Sequence, residues 1–96
     1  MSHWTLARRA QRDIDEMRDY TVKRWGDDQA KRYLLKIQQT IKLVLREPNR
    51  RRACDEILPG YFRVNAGSHV IFYRQSGEDI RVMRILHERM NVDGHL

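Results

Sequence analysis

The sequence predicts an α+β fold of order β-α-α-β-β-β, in which an N-terminal helical hairpin packs on one face of a small antiparallel sheet. Three observations lead there. Apolar residues recur at three- and four-residue steps through the first half of the chain. Gly26 and Asp27 interrupt that pattern after Trp25. Beyond Pro59-Gly60 it gives way to three short runs rich in β-branched and aromatic residues.

His3-Trp4-Thr5-Leu6 reads as a short opening strand. Over residues 8–25 the positions Ala10, Ile14, Met17, Thr21 and Trp25 form one helical stripe. Gly26 offers a left-handed cap to that helix, and Asp27 an N-cap to the next. From Asp28 to about Arg46 the stripe is Ala30, Tyr33, Leu34, Ile37, Ile41, Val44 and Leu45. Pro48 closes it, because the residue before a proline is pushed out of helical geometry. So short a connector forces the helices into an antiparallel hairpin. Residues 49–59 are polar and basic with no period, and read as a loop. Residues 61–66, 68–75 and 80–87, split by Gly67 and by Ser76-Gly77-Glu78-Asp79, read as an antiparallel meander.

Ninety-six residues fit one domain, 1–96. A domain of this size buries only roughly 60–65% of its unfolded surface, so its stability should be marginal unless a partner covers more. The 41% apolar fraction is enough for one core. A single cysteine, Cys54, excludes an internal disulfide and suits a reducing compartment. No apolar run approaches the roughly 20 residues of a membrane span, and the N-terminus is too short and polar for a signal peptide. A small, soluble, cytoplasmic protein without membrane association is expected. The net charge of +6, from 19 Lys+Arg against 13 Asp+Glu, suits an anionic partner, either nucleic acid or an acidic protein segment. Most basic residues, such as Arg8, Arg12, Lys31 and Arg32, follow helical periodicity and read as a solvated face. Arg50-Arg51-Arg52 is the one local cluster, and three arginines alone do not establish DNA binding.

In Val70-Ile71-Phe72-Tyr73 and Val82-Met83-Arg84-Ile85-Leu86 both alternating faces are largely apolar. A sheet with one wet face should alternate. One hairpin covers one face, so the other is expected to be an exposed apolar groove for a partner. The competing reading folds the N-terminal strand, the basic loop and the tail over that face.

Four histidines and Cys54 show no zinc-type spacing, and no phosphate-cradling glycine motif occurs, so neither metal nor other cofactor is expected. Carboxylates such as Asp13, Asp15 and Glu16 sit in helices beside basic residues, where solvated pairing is the default. Asp55-Glu56 lies in the loop without a visible partner. His87 stands near Arg84, Arg89 and Arg81, a combination that could serve RNA cleavage as acid–base group and phosphate clamp. The reading adopted is the structural one, a strand-end histidine or part of an interface. No catalytic residue is assigned.

Several segments carry a resemblance. Asp19-Tyr20-Thr21-Val22-Lys23-Arg24-Trp25-Gly26, with Gln29-Ala30 and Tyr33-Leu34, resembles the helical hairpin of ParE toxins in the RelE/ParE toxin–antitoxin superfamily. Cys54-Asp55-Glu56-Ile57-Leu58-Pro59-Gly60-Tyr61 is similar to their loop into the next strand. Gly67-Ser68-His69-Val70-Ile71-Phe72-Tyr73-Arg74 and Val82-Met83-Arg84-Ile85-Leu86-His87-Glu88-Arg89-Met90 are similar to their following strands. His95-Leu96 matches their end. The resemblance covers nearly the whole chain in order and implies the same fold. It also implies a toxin that poisons DNA gyrase by binding and is not an enzyme. Its partner would be a ParD-like antitoxin in a hetero-oligomer, with a heterotetramer as one candidate. DNA would be reached only through the antitoxin, whose acidic C-terminal segment folds on binding.

On that reading the antitoxin crosses the outer sheet face at Arg63, Val70, Phe72, Arg74, Arg81 and Arg84. The candidates for target binding or toxicity are His87 and Arg89, together with Met90, His95 and Leu96 of the tail 90–96. The alternative is a RelE-like, ribosome-dependent messenger endoribonuclease. That branch often reads Arg-Leu-Val-Tyr where this chain has Val70-Ile71-Phe72-Tyr73, so Val70 replaces a phosphate-holding arginine. The catalytic groups often found near its C-terminus are missing too. Arg63, Arg84 and His87 are the residues that would serve such a nuclease.

Overall fold

The computed structural model describes residues 3–47, 52–54 and 59–90. The helix stop at Pro48, Arg50-Arg51, Asp55-Glu56, the tail from residue 91 and with it His95-Leu96 lie outside the described residues. The elements are β1 (Trp4–Leu6), α1 (Arg8–Trp25), α2 (Asp27–Arg46), β2 (Arg52–Ala53), β3 (Tyr61–Ala66), β4 (His69–Ser76) and β5 (Asp79–His87).

Helix α1 starts without a side-chain cap. Ala7 instead spends its N–H on the Val82 carbonyl, 2.8 Å away, while its own carbonyl accepts from Gln11. The chain therefore passes from sheet to helix with its backbone groups paired. Lys23 and Arg24 complement the negative end of α1, and Asp27 and Asp28 the positive start of α2. Between them Gly26 has φ +92, which favours glycine as expected. Its ψ of 172 is extended rather than left-handed helical, and α2 begins at Asp27 itself instead of using it as a cap.

The sheet order is β1-β5-β4-β3-β2. The last three strands form the expected antiparallel meander. Two features differ. Strand β1 runs parallel to β5, so the sheet is mixed rather than purely antiparallel. The helical hairpin makes this possible, because it returns the chain across one face before the meander begins. Arg52–Ala53, in the stretch read as a loop, pairs antiparallel with β3 as a short edge strand.

The main core lies between hairpin and sheet. Ile37, Ile41 and Val44 of α2 and Met17 of α1 pack with Ile71, Tyr73, Val82 and Ile85, and Ile14 borders them. The expected helical phase holds for these residues and fails at Trp25, which is 66% exposed. At the helix terminus the stripe has drifted past the sheet.

The outer face is not the open apolar groove expected of it. Phe72 and Leu86 are buried there with Cys54, flanked by Tyr61 and Val70, in a second small cluster. Cys54 is pinned over it by its N–H bond to the Tyr61 carbonyl, 3.0 Å. Part of the loop thus closes the centre of this face.

Candidate functional site: a groove at the open edge of β5

Strand β1 pairs with β5 only from Ile80 to Val82. Beyond that point, among the described residues, no strand continues along this edge of β5, whose other edge is paired with β4, and α1 approaches instead. Asp13 of α1 accepts the Ile85 N–H at 3.0 Å and two guanidinium bonds from Arg84, at 2.8 and 3.0 Å. One carboxylate so replaces a strand partner and neutralises a largely buried arginine. The hydrogen bond from Arg84 to Asp13 raises the guanidinium's pKa above its ordinary value, against the opposing effect of burial.

The groove between α1 and this stretch of β5 encloses about 760 Å³. Met17, Tyr20 and Trp25 of α1 form one wall, and His87 and Met90 the other. Tyr20 is 60% exposed and Met90 41%, with Trp25 more open still. The Arg24 guanidinium lies over both aromatic rings, 5.5 Å from Tyr20 and 5.9 Å from Trp25. Solvated tryptophan, tyrosine and arginine side by side are the composition of an interface hot spot.

The floor is polar. The Tyr33 hydroxyl accepts the Ser68 N–H at 3.0 Å and lies 2.6 Å from His69 Nδ1. Burial lowers the His69 pKa, and the neighbouring His87 lowers it further. A neutral His69 accepting the Tyr33 proton fits that environment. Burial also raises the Tyr33 pKa, partly offset by the Ser68 backbone bond. His87 faces His69 across the strands, with ring centroids 5.4 Å apart, and its Nδ1 accepts the Arg89 N–H at 3.1 Å.

A β-bulge creates that histidine pair. Near the β4–β5 turn Tyr73 pairs with Val82, but Phe72 pairs with Arg84, so Met83 is passed over. Continued without the bulge, the register would place Leu86 opposite His69; with it, His87 takes that position. The same slip turns both Val82 and Ile85 toward the helices.

The expected site residues fall in different places. His87 and Met90 line the groove, and Arg89 is exposed in the turn beside them. Arg74 and Arg81 are exposed on the outer sheet face, and Arg63 and Val70 are half-buried there. Phe72 has no exposed surface, so it cannot serve as an open contact as expected. Arg84 is engaged by Asp13 and is not available on the outer face either. Tyr20, Trp25, Tyr33 and His69 were not singled out. Tyr20 lay off the stripe, Trp25 was assigned to the core, and the bulge hid the pairing of His69.

Among the described residues lining the groove, Arg84 is the sole arginine. The two histidines could exchange protons, but this cation is already matched by a carboxylate, and Glu16 adds negative charge to the rim. The arrangement is better suited to binding apolar and aromatic side chains than to holding a phosphate. Among the described residues no group of three or more His, Cys, Asp or Glu is placed to hold a metal ion. None of their helices is long and apolar enough to cross a membrane.

Comparison with known proteins gives a consistent result. Residues 5–92 match the family described as the ParE toxin of the type II toxin–antitoxin system parDE. The chain is 48% identical over 96 residues to Toxin ParE1 of Mycobacterium tuberculosis, covering 99% of this chain and 98% of that one. It is 38% identical to Toxin ParE1 of Caulobacter vibrioides, covering 100% of this chain and 99% of that one. A solved structure described as the chromosomal ParDE TA system from P. aeruginosa has the same fold. Its TM-score is 0.76 at 21% identity, over 91% of this chain and 96% of that one.

Proposed function

We propose that this chain, which belongs to the ParE toxin family of type II toxin–antitoxin systems, acts in the cytoplasm as a single domain that poisons DNA gyrase by binding. The observation that carries this reading is the pairing of Arg84 with Asp13 beside the histidines. A nuclease needs a free cation to hold the scissile phosphate and stabilise its developing charge. Here that cation is compensated, and Val70 stands where the messenger-cleaving branch often carries an arginine. The ParE family is not a known enzyme family.

The neutralising partner is a ParD-like antitoxin, bound in a hetero-oligomer. The groove between α1 and β5 is its main seat. Apolar side chains of the antitoxin would enter against Met17, Tyr20, Trp25 and Met90, while its carboxylates meet Lys23 and Arg24. The exposed aromatic rim supports this seat over the outer face, whose apolar centre Cys54 already occupies.

The test pairs supercoiling and DNA-cleavage assays on purified gyrase with a ribosome-dependent messenger-cleavage assay. Gyrase inhibition with intact messenger is expected, and His87→Ala should keep most of the effect. General acid–base help is worth about 10²–10⁴-fold, so a nuclease relying on His87 would collapse in that variant. Messenger cleavage that disappears in His87→Ala, with gyrase untouched, would replace this reading by the ribonuclease.

A further inference from the structure

The outer face of the sheet carries an arrangement that folding alone does not favour. Strand alternation sends Phe62, Val64, Tyr73, Ile80 and Val82 toward the helices. It therefore sends Arg63, Arg74 and Arg81 the other way. Arg74 lies directly opposite Arg81, and Arg52 opposite Arg63. Like charges directly opposed across neighbouring strands are destabilising. Here two such pairs stand on one face, and among the described residues no carboxylate forms an ion pair with any of the four. The Arg74 guanidinium lies over the ring of Tyr61, 5.9 Å from its centroid.

We propose that this face binds the phosphodiester backbone of a nucleic acid. The juxtaposition of guanidinium groups in rows on a sheet, without an ion-pair partner among the described residues and one of them over an aromatic ring, fits a polyanion. An acidic amphipathic peptide fits less well. Such a peptide needs open apolar surface to bury its other side, and the apolar centre of this face is taken up by Phe72, Leu86 and Cys54. That kind of surface lies instead in the groove beside α1. The toxin then has two separate faces, an aromatic groove for protein and a basic sheet for nucleic acid. The family resemblance implies that DNA is reached only through the antitoxin, so direct contact is a new role for these arginines.

The test needs neither gyrase nor antitoxin, so its outcome is independent of the target proposed above. The full chain, purified free of antitoxin, is titrated against three labelled probes. These are a duplex DNA of arbitrary sequence, a single-stranded RNA of equal length and a polyglutamate peptide, each over a range of salt. Arg74→Gln/Arg81→Gln is compared with Arg32→Gln/Lys36→Gln, which removes the same charge from exposed positions of α2. The sheet variant relieves a repulsive pair, so it should fold, and thermal melting checks that it does.

Expected is salt-sensitive binding to one or both nucleic acids that weakens at least tenfold in the sheet variant. The slope of log K against log salt should shrink by roughly 1.8 for duplex DNA, or roughly 1.4 for the single strand, as two phosphate contacts are lost. Which polymer binds tighter identifies the source of the phosphodiester. Equal weakening in the α2 variant, no binding to either nucleic acid, or equally tight polyglutamate binding through the same arginines would each overturn the proposal.

Discussion

Asp13 and Arg84, 71 positions apart in the chain, close the open edge of β5 through hydrogen bonds of 2.8 and 3.0 Å. The same carboxylate accepts the Ile85 N–H. Asp13 is therefore both a charge partner and a substitute for a missing strand, and its side chain keeps only 10% of its exposure. Asp13→Ala leaves a buried guanidinium without this partner and an edge N–H unpaired. Breaking a buried pair from one side costs about 3–5 kcal/mol, whereas replacing both members by apolar groups can cost far less. Urea denaturation should show Asp13→Ala losing several kcal/mol and Asp13→Leu/Arg84→Met recovering part of it. A single-variant loss below about 1 kcal/mol would mean that the pair is a solvated surface contact.

The two helices were legible in the sequence because their periodicity is long and regular. The meander was legible because Gly67 and Ser76-Gly77-Glu78-Asp79 punctuate it. The direction of β1 was not, since three residues carry no sign of whether they run parallel or antiparallel to a distant strand. Nor was the histidine pair. Turn chemistry at Gly77 fixes the register only as far as the bulge at Met83, and no residue there announces one. The outer face was misjudged for a related reason. Alternation shows which residues share a face, but not that Cys54 returns to cover Phe72 and Leu86.

Trp25 and Ile37 lie on the predicted apolar stripes of α1 and α2 but in opposite environments, 66% and 2% exposed. Ile37→Ala should cost about 2–5 kcal/mol, as buried aliphatic deletions do. Trp25→Ala should change stability by no more than about 0.5 kcal/mol, as surface substitutions usually do. Antitoxin binding should reverse the order. An aromatic hot spot is worth about 2 kcal/mol or more, so Trp25→Ala should weaken affinity roughly 30-fold. Calorimetric titration of the variant with antitoxin checks this. Unchanged affinity would move the antitoxin away from the groove.

Tyr33 ties α2 to the β3–β4 turn, and Gly67 in that turn has φ +61. A methyl group at residue 67 would stand 2.9 Å from the Tyr33 hydroxyl oxygen and 3.3 Å from its ring carbon Cζ. Gly67→Ala thus meets both an unfavourable backbone region and a side chain held in place by Ser68 and His69. A loss on the order of 1–2 kcal/mol is expected. Tyr33→Phe removes the obstructing oxygen, so the double variant should be less destabilised than the sum of the singles by about 0.5 kcal/mol or more. Strict additivity in chemical melts would show that Tyr33 moves aside freely.

His69 should make stability depend on pH in a calculable direction. Its imidazole meets Tyr33 from α2 and His87 from β5, while Glu88 and Asp13 exert an opposing pull toward protonation. Burial dominates, and the folded pKa lies below the ordinary 6.5. Between that folded value and about 6.5 the unfolded chain binds the proton and the folded chain does not. Acid therefore favours unfolding through that window. The contribution is fully present above about pH 6.5 and is lost as pH falls through the folded pKa. Urea midpoints between pH 7.5 and 5 should fall on acidification, and the fall should be smaller in His69→Gln, which keeps a hydrogen-bonding group toward Tyr33. His3→Gln, at an exposed histidine, controls for an isosteric change without burial. If His69→Gln falls as steeply as the unmodified chain, or if acid stabilises the fold, burial does not control this imidazole.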